Sequence, residues 1–249
     1  MSEGFSAQQL VIELYKRGMI KTWYRDQPNG WTLFSGLWSP LYIQLRPLCS
    51  YPDLLRAVGE QIGGIVREKV PGASRLLGIA MAGIPLAVST SLAMNLPCAM
   101  TRKIEGLRAP EDIASYGEHN NVEGELNSGD EIVLIDDLVT TMGSKRVAMV
   151  QLQAEVKRRG LTDVRGNTVV VLFDREQGAR EAAAAEGVQL YSVISFLSEG
   201  LPTLKSQMQP REYEVICEYL ANAARFQDDA IKAALRSDAL RFQSAGSRG

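Results

Sequence analysis

Residues Ile132 to Ser144 read IVLIDDLVTTMGS, and the fold class follows from this stretch. Four apolar residues lead directly into two adjacent acids, Asp136 and Asp137, and a turn rich in hydroxyl groups comes next. An apolar run of this length, bounded by a turn, predicts a strand buried on both faces of a parallel sheet. Open α/β sheets bind ligands outside the carboxyl ends of such strands. The stretch therefore predicts a doubly wound α/β fold with the acid pair at its ligand-binding edge.

The turn after the acids predicts a phosphate site at the start of a helix. It consists of Thr140, Thr141, Met142, Gly143 and Ser144. Backbone N–H groups at a helix N-terminus attract phosphate. Carboxylates beside a phosphate site suit a sugar phosphate, with its hydroxyls on the acids and its phosphate on the turn. A nucleotide P-loop fits less well, because no Gly-Lys-Ser/Thr follows the strand.

Charge and cysteine usage narrow the function classes. The 249 residues carry 27 basic and 29 acidic side chains, and this balance argues against a nucleic-acid partner. The three cysteines, Cys49, Cys98 and Cys217, are far apart and in no CxxC pair, which predicts reduced thiols and no zinc site. No secretory signal pattern and no apolar stretch of the roughly 20 residues that cross a bilayer is present. We therefore expect a cytoplasmic protein with no membrane segment.

Strands and helices alternate through the middle of the chain, which predicts a mostly parallel sheet. Strands are expected at Leu76–Ala80, Pro97–Thr101, Ile132–Ile135, Asn167–Phe173 and Leu190–Ser195. Helices are expected at Ser6–Lys16, Tyr51–Lys69, Pro85–Met94, Gly143–Arg159, Gln177–Glu186, Pro210–Phe226 and Asp228–Phe242. Between the second and third strands lies a long polar segment, Arg102 to Asp130. A segment of that length inside a compact domain is usually functional.

The acid pair and its turn resemble the 5-phosphoribosyl 1-diphosphate (PRPP) motif of type I phosphoribosyltransferases. Four further segments resemble the orotate phosphoribosyltransferases among them. They are an N-terminal hood, TLFSGLWSPLYIQLR at Thr32–Arg46; a diphosphate turn, GIAMAGIPLA at Gly78–Ala87; the pair Arg102-Lys103 after a strand; and DREQG at Asp174–Gly178. The segments follow the family's order over about residues 5 to 200. The chain is identified as a member of that family.

The resemblance implies transfer of phosphoribose from PRPP to orotate, giving orotidine 5′-monophosphate and diphosphate in pyrimidine biosynthesis. Mg²⁺ would be bound through the diphosphate and ribose hydroxyls of PRPP, with no metal cluster in the protein. The implied catalytic residues are Asp137, Lys103 and Arg108. The implied PRPP-binding residues are Arg102, Lys103, His119, Asp136, Asp137, Thr140, Thr141, Met142, Gly143, Ser144, Ala82 and Gly83. The base would lie against Thr140, Arg175 and Ser35, with the arginine fork on the planar carboxylate of orotate.

The resemblance also implies an architecture and an assembly. Residues 1–202 would form the phosphoribosyltransferase domain, with the hood over about 1–50 and a flexible active-site loop over about 102–130. Residues 203–249 would form a C-terminal helical extension with a frayed tail. In the family the loop closes over the active site of the neighbouring subunit, so a homodimer with a shared active site is expected.

Several positions depart from the family pattern, and they leave alternatives open. The family usually has Lys at the position of Phe34, and some members have Lys at that of Ala82. Met142 replaces a glycine of the phosphate turn, which would cost about 1–2 kcal/mol if the turn needs a positive φ there. Arg108 is the only cation from Ile104 to Ser115. The alternatives are a PRPP-binding regulator or partner subunit with weak or no catalysis, and a phosphoribosyltransferase for another base.

Overall fold

The computed structural model describes residues 5–33, 36–103 and 120–246. Its strands are β1 (Ile20–Thr22), β2 (Trp31–Thr32), β3 (Trp38–Ser39), β4 (Leu41–Ile43), β5 (Arg75–Gly78), β6 (Cys98–Thr101), β7 (Val122–Glu123), β8 (Glu131–Val139), β9 (Arg165–Asp174) and β10 (Gln189–Ser195). Its α-helices are α1 (Ala7–Lys16), α2 (Pro52–Lys69), α3 (Gly83–Met94), α4 (Gly143–Arg158), α5 (Ala179–Ala185), α6 (Leu201–Leu204), α7 (Pro210–Ala221) and α8 (Asp229–Gly246).

Over its described residues the chain forms two compact units. Of the described residues, the first unit comprises 5–7, 48–103 and 120–199, and the second comprises 8–33, 36–47 and 200–246. Most of the predicted hood and the predicted C-terminal extension therefore belong to the same unit. The domain boundaries given by the sequence, near residues 50 and 202, stay a prediction.

A six-stranded sheet organises the first unit, in the order β10-β9-β8-β5-β6-β7. Strands β10, β9, β8, β5 and β6 are parallel to their neighbours, and β7 runs antiparallel at the edge beside β6. The chain moves outward from β5 to β6 and β7, then returns on the other side of β5 to build β8, β9 and β10. The predicted mostly parallel α/β fold is confirmed.

Alternate residues of the central strands face opposite sides of this sheet, and each side is covered by helices. One side forms a buried apolar cluster that includes Leu77, Leu134 and Val169 of the sheet with Leu152 of α4 and Ala183 of α5. Helices α2 and α3 pack on each other, and α3 also packs on β5 and β8. The central strands are apolar on both faces because both faces are covered, as a parallel sheet requires.

The second unit joins two segments that are far apart in sequence. Strand β1 pairs antiparallel with β4, and β2 with β3. The buried carboxylate of Glu212, in α7, accepts hydrogen bonds from the hydroxyls of Tyr15, at 3.0 Å, and Thr22. The indole N–H of Trp23 donates to the carbonyl oxygen of Leu235, in α8, at 3.0 Å. These contacts build the core of the unit from its N-terminal and C-terminal segments together.

Most predicted elements occur near their expected positions, with instructive differences at their ends. The strand predicted at Ile132–Ile135 is too short, since β8 continues to Val139 and includes both acids. The predicted helix Pro210–Phe226 ends at Ala221 and is followed by a 3-10 turn, Arg225–Gln227. Helix α3 begins at Gly83, two residues earlier than expected. Within the described part of the chain, none of the helices has the length and apolar character needed to span a bilayer.

Candidate active site

The acid pair lies where the sheet changes its direction of growth. Strand β5 pairs with β8 only as far as Gly78 opposite Ile135. Beyond that point β8 continues along β9, with Asp136 opposite Val171 and Val139 opposite Asp174. The last four residues of β8 therefore pair with no strand on the side of β5 in the described structure. Strand order reverses between β5 and β8, and such a point is where open α/β sheets form their ligand crevice.

Asp136 and Asp137 have different surroundings at this edge. Asp136 is buried, and its Oδ2 lies 2.9 Å from the Nζ of Lys145, while its Oδ1 accepts the N–H of Asp137 at 2.8 Å. Asp137 is partly exposed. Burial of its carboxyl and the negative charge of Asp136 raise the pKa of Asp137 to about 7, although Lys145 acts in the opposite direction. Asp137 is thus a carboxylate that titrates near neutral pH.

The predicted phosphate turn connects the end of β8 to the start of α4. Thr141, Gly143 and Ser144 are exposed there. Met142 precedes the helix with φ −77°, and its side chain is fully buried in the apolar cluster under the sheet. The expected backbone strain at Met142 is therefore absent, because the turn does not need a positive φ at this position. Only the backbone of Met142 is therefore placed to contact a phosphate.

The predicted diphosphate turn follows β5 and is held against its neighbours by backbone contacts. The N–H of Ile79 donates to the carbonyl oxygen of Ile135 at 2.9 Å, and the N–H of Ala80 donates to Oγ1 of Thr101 at 2.9 Å. The peptide bond between Ala80 and Met81 is cis. Ala82 then precedes α3, which begins at Gly83.

Gly83 is needed because its neighbours leave no room for a side chain. Its φ is not in the left-handed region, so backbone freedom does not explain the glycine. A Cβ built on Gly83 would instead collide with the carbonyl oxygen of Ile135 and lie 2.9 Å from the Cα of Asp136. The absent side chain lets the first turn of α3 lie directly against the strand that carries the acid pair.

Arg102 and Lys103 leave the end of β6 with exposed side chains. The backbone of Arg102 is fixed twice: its N–H donates to the carbonyl oxygen of Asn121 at 3.1 Å, and its own carbonyl oxygen accepts Nε2 of Gln151 at 2.9 Å. The N–H of Asn121 in turn donates to the buried carboxylate of Glu155 at 3.0 Å. Gln151 and Glu155 lie one turn apart in α4, so this helix holds both segments.

The Glu155 carboxylate is charged in spite of its burial. Burial alone would raise its pKa, but hydrogen bonds from Arg158, from the backbone of Asn121 and from Arg159 lower the pKa to about 2. Arg159 also donates to the carbonyl oxygens of Gly124 and Val122, at 2.8 and 3.0 Å. The cluster fastens the edge strand β7 to α4.

Arg175 follows β9 and is half-buried. Its N–H donates to the carbonyl oxygen of Val139 at 3.0 Å, which places it beside Thr140. The buried Asp174 shapes this turn, since it accepts the N–H of Glu176 at 2.8 Å and Nε of Arg180 at 2.7 Å. Glu176 has φ +56°, and its carboxylate accepts the N–H of Ser198 at 2.7 Å.

The fold brings most of the predicted site residues to the carboxyl edge of four neighbouring strands. Ala82 and Gly83 follow β5, Arg102 and Lys103 follow β6, the acids and their turn come from β8, and Arg175 follows β9. Ser35, Arg108 and His119 lie outside the described residues. Sequence reasoning missed Lys145. The sequence feature that could have pointed to Lys145 is its place in the first turn of a predicted helix, where the helix dipole disfavours a cation.

The edge combines the groups that a phosphorylated sugar requires. Helix α4 begins there, and its first turn presents N–H groups suited to an anion. Helix α3 begins there too, but the N–H groups of Gly83 and Ile84 already donate to carbonyl oxygens, and Pro85 has no N–H. The carboxylates of Asp136 and Asp137 lie at the end of β8. The exposed cations Arg102 and Lys103 lie on the β6 side of the acids, and Arg175 lies on the β9 side. Such an arrangement can hold two anionic groups of one ligand and direct a negative charge at the carbon between them.

Known proteins share this sequence pattern and this architecture. No protein-family model matches the chain. The chain is 36% identical over 136 residues to an orotate phosphoribosyltransferase of Lactobacillus johnsonii, covering 55% of this chain and 59% of that protein. It is 33% identical over 166 residues to an orotate phosphoribosyltransferase of Methanocorpusculum labreanum, covering 67% and 86%. The structure of Leishmania donovani UMP synthase is similar with a TM-score of 0.70 and 26% identity, covering 87% of this chain and 42% of that one.

Proposed function

The chain belongs to the orotate phosphoribosyltransferase family, and from this premise we propose that it transfers 5-phosphoribose from PRPP to orotate, forming orotidine 5′-monophosphate and diphosphate. One observation carries the proposal: the acid pair, the turn before α4, the exposed pair Arg102-Lys103 and Arg175 meet at a single switch point of the sheet. These are the groups that ribose hydroxyls, two phosphate groups and a planar carboxylate would contact.

Each residue of the site acts on a different part of PRPP during the reaction. The 5-phosphate of PRPP lies on the Thr140–Ser144 turn, and the ribose hydroxyls lie on Asp136 and Asp137. As the bond from ribose C1 to diphosphate breaks, positive charge grows on the ring, and the ionised Asp137 stabilises it. A fixed group aimed at developing charge can contribute about 3–4 kcal/mol to the transition state. Arg102 and Lys103 receive the departing diphosphate.

Arg175 is proposed to select the base. Its guanidinium has the fork geometry that binds a planar carboxylate through two parallel hydrogen bonds. The backbone bond to Val139 sets it beside Thr140, next to the acid pair. Orotate carries such a carboxylate, whereas the common purine and pyrimidine bases do not. The position of Arg175 therefore favours orotate over another base.

The residues present fit a magnesium ion that arrives with the substrate. In the described residues no group of three or more His, Cys, Asp or Glu side chains is placed to hold a metal. Mg²⁺ prefers substrate phosphates and water to an all-protein cage. We infer that the ion is bound by the diphosphate and ribose hydroxyls of PRPP, where it would screen the charge of the leaving group.

A second candidate function rests on Ala82. This residue gives the diphosphate turn no cation, which favours a PRPP-binding regulator with weak or no turnover. The ultraviolet absorbance change on mixing orotate, PRPP and Mg²⁺ with purified protein separates the two. Consumption of orotate that depends on PRPP and on Asp137 supports the enzyme. PRPP binding by calorimetry without consumption of orotate would replace the enzyme with the regulator.

We further propose that the protein forms a homodimer through the face shared by α2 and α3. This face holds a groove of about 570 Å³ whose apolar lining includes Pro52, Leu55, Pro85, Val88, Leu92 and Ala93. Leu92 is 81% exposed, and Val88, one turn away, is 41% exposed. An apolar surface of this kind on a soluble domain marks an interaction site.

The charges beside this groove fit a second copy of the chain. Arg56 and Glu60 lie one turn apart on α2 and both line the groove. In a two-fold contact the same patch meets itself, so each Arg56 can meet the Glu60 of the other copy. Helix α3 begins at the diphosphate turn, and this contact would bring the two active sites into communication.

We also propose that the protein acts in the cytoplasm. Cys49, Cys98 and Cys217 are free thiols, and Cys49 is exposed. Free thiols persist in reducing compartments, where disulfides are rare.

A further inference from the structure

Lys145 is a buried lysine at the centre of the proposed active site. Its side chain is 3% exposed, and its Nζ lies 2.9 Å from Oδ2 of Asp136. The same ammonium donates to the carbonyl oxygen of Leu138 at 2.5 Å and to Oγ of Ser144 at 3.2 Å. An ammonium has three protons to donate. Three acceptors surround this one, two from the end of β8 and one from the start of α4.

The position of Lys145 is unfavourable for a lysine unless the positive charge of the side chain has a role in the site. Lys145 is the third residue of α4, where the helix dipole favours acids and disfavours cations. Removing a charge from water is costly even when a partner is present, and a well-packed apolar side chain is often the more stable choice. The structure therefore places a cation beneath the acid pair at a cost in folding stability.

We propose that Lys145 is a positioning residue that neutralises Asp136 and thereby leaves Asp137 as the carboxylate whose charge meets the ribose. The inference rests on the proposed function. Lys145 clamps β8 on both sides of Asp137, through the side chain of Asp136 and the carbonyl oxygen of Leu138. It also joins the strand to the phosphate turn through Ser144. The acid pair thus meets its substrate with one net negative charge, fixed in position.

The effect of neighbouring charges on the pKa of Asp137 can be tested by substitution. Asp136 raises the pKa of Asp137 and Lys145 lowers it. Helix α3, which packs on β8, contains no titratable side chain. On β9, Asp174 lies opposite Val139 and is paired with Arg180 at 2.7 Å. Among the residues that the structure describes, Asp136 and Lys145 are the side chains whose charges we change to move the titration of Asp137.

The test measures this titration in five proteins, wild type and four variants, by the carbon-13 carboxyl resonance of Asp137, assigned through its loss in Asp137→Asn. The midpoint should be highest in Lys145→Met, by about one pH unit over wild type, and lowest in Asp136→Asn. The double variant Asp136→Asn/Lys145→Met should lie between these two. Lys157→Met, at an exposed position of the same helix, should leave the midpoint at its wild-type value.

Activity gives the second readout. In Lys145→Met, kcat at pH 7 should fall by at least about fivefold, a change of about 1 kcal/mol, and recover in part at higher pH as Asp137 ionises. A role limited to folding would lower the yield or thermal stability without moving the titration, and an equal loss of kcat at every pH would overturn the inference.

The double variant keeps the test decisive if Lys145→Met does not fold. It contains no unpaired buried charge, and its midpoint must exceed that of Asp136→Asn, because only Lys145 distinguishes them. Equal midpoints would refute the inference. Absence of orotate consumption by wild type, with the midpoints in the expected order, would refute the proposed function while leaving the electrostatic role of Lys145 in place.

Discussion

Gly83 at the start of α3 and Asp136 near the end of β8 are in backbone contact, and a Cβ on Gly83 would lie 2.9 Å from the Cα of Asp136. Contacts that close are almost never made by real side-chain atoms. The distance between the diphosphate turn and the acid pair is therefore set by the absence of one methyl group.

Gly83→Ala should destabilise the protein by about 1–3 kcal/mol, because the new methyl group meets backbone atoms that cannot move aside. Urea unfolding measures the loss. Gly64→Ala is the matched control, since a Cβ at that position of α2 would have no atom within 4 Å. It should gain up to about 1 kcal/mol from helix propensity. Equal stability of the two variants would contradict the close contact.

Asp137→Asn should reduce turnover at least about 100-fold while leaving the fold intact, since loss of one such charged contact usually has that effect. The substitution removes the charge and keeps nearly the same volume. Steady-state kinetics with orotate and PRPP measures the effect, and circular dichroism checks the fold. Turnover within about fivefold of wild type would show that Asp137 is not the stabilising carboxylate.

The pKa of Asp137, raised to about 7 by burial and by Asp136, makes stability depend on pH. Between about pH 4 and pH 7 the folded chain retains a proton that the unfolded chain has lost. The free energy of unfolding therefore falls as pH rises through this window. Asp137→Asn should lack this loss and should be about 2 kcal/mol more stable than wild type at pH 8, less than full burial would give, because the side chain is partly exposed. Parallel pH profiles for the two proteins would argue against the raised pKa.

Arg175→Lys should raise the KM for orotate about tenfold and change the KM for PRPP far less. Lysine keeps the positive charge and loses the fork that binds a carboxylate bidentately. Initial rates with each substrate varied in turn measure the difference. Arg146→Lys is a control on an exposed ion pair with Glu186, where both KM values should stay unchanged. An equal rise in both KM values would assign Arg175 a structural role.

Leu92→Glu should convert the proposed dimer into a monomer, because it places a charge at the centre of the α2–α3 face. Sedimentation should give about twice the 27.3 kDa chain mass for wild type. Leu240→Glu, at another exposed leucine, should leave the mass unchanged. A wild-type monomer with full activity would refute the shared active site, and a Leu92→Glu dimer would place the interface elsewhere.

The main elements of the sheet could be predicted because their signals are local. The apolar run at Ile132–Ile135 and the turn before α4 carry their periodicity and helix-start signals in adjacent residues. The continuation of β8 through Asp136 and Asp137 could not be predicted from them, since the acids interrupt the apolar pattern. That continuation is set by pairing with β9, a segment about 30 residues away in the chain.

The candidate site could be predicted where the residue type by itself indicates a chemical role, as it does for the acid pair and Arg175. The site could not be predicted where tertiary packing determines which residue is needed or where it lies. The need for Gly83 comes from a strand that arrives about 50 residues later. The unstrained Met142 owes its place to an apolar pocket, and the burial of Lys145 depends on how α4 lies on the sheet. The shared core of residues near Tyr15 and Glu212 joins positions 197 apart.

The hydrogen bonds that fasten Arg102 and Asn121 to each other and to α4 have a use in protein engineering. The two residues are adjacent anchor points, each also held by a side chain of one rigid helix. A foreign segment grafted between them needs only ends that meet these anchors, because the strands on either side are already fixed. Chimeras that exchange this segment among relatives can therefore compare the chemistry of different segments on one unchanged scaffold.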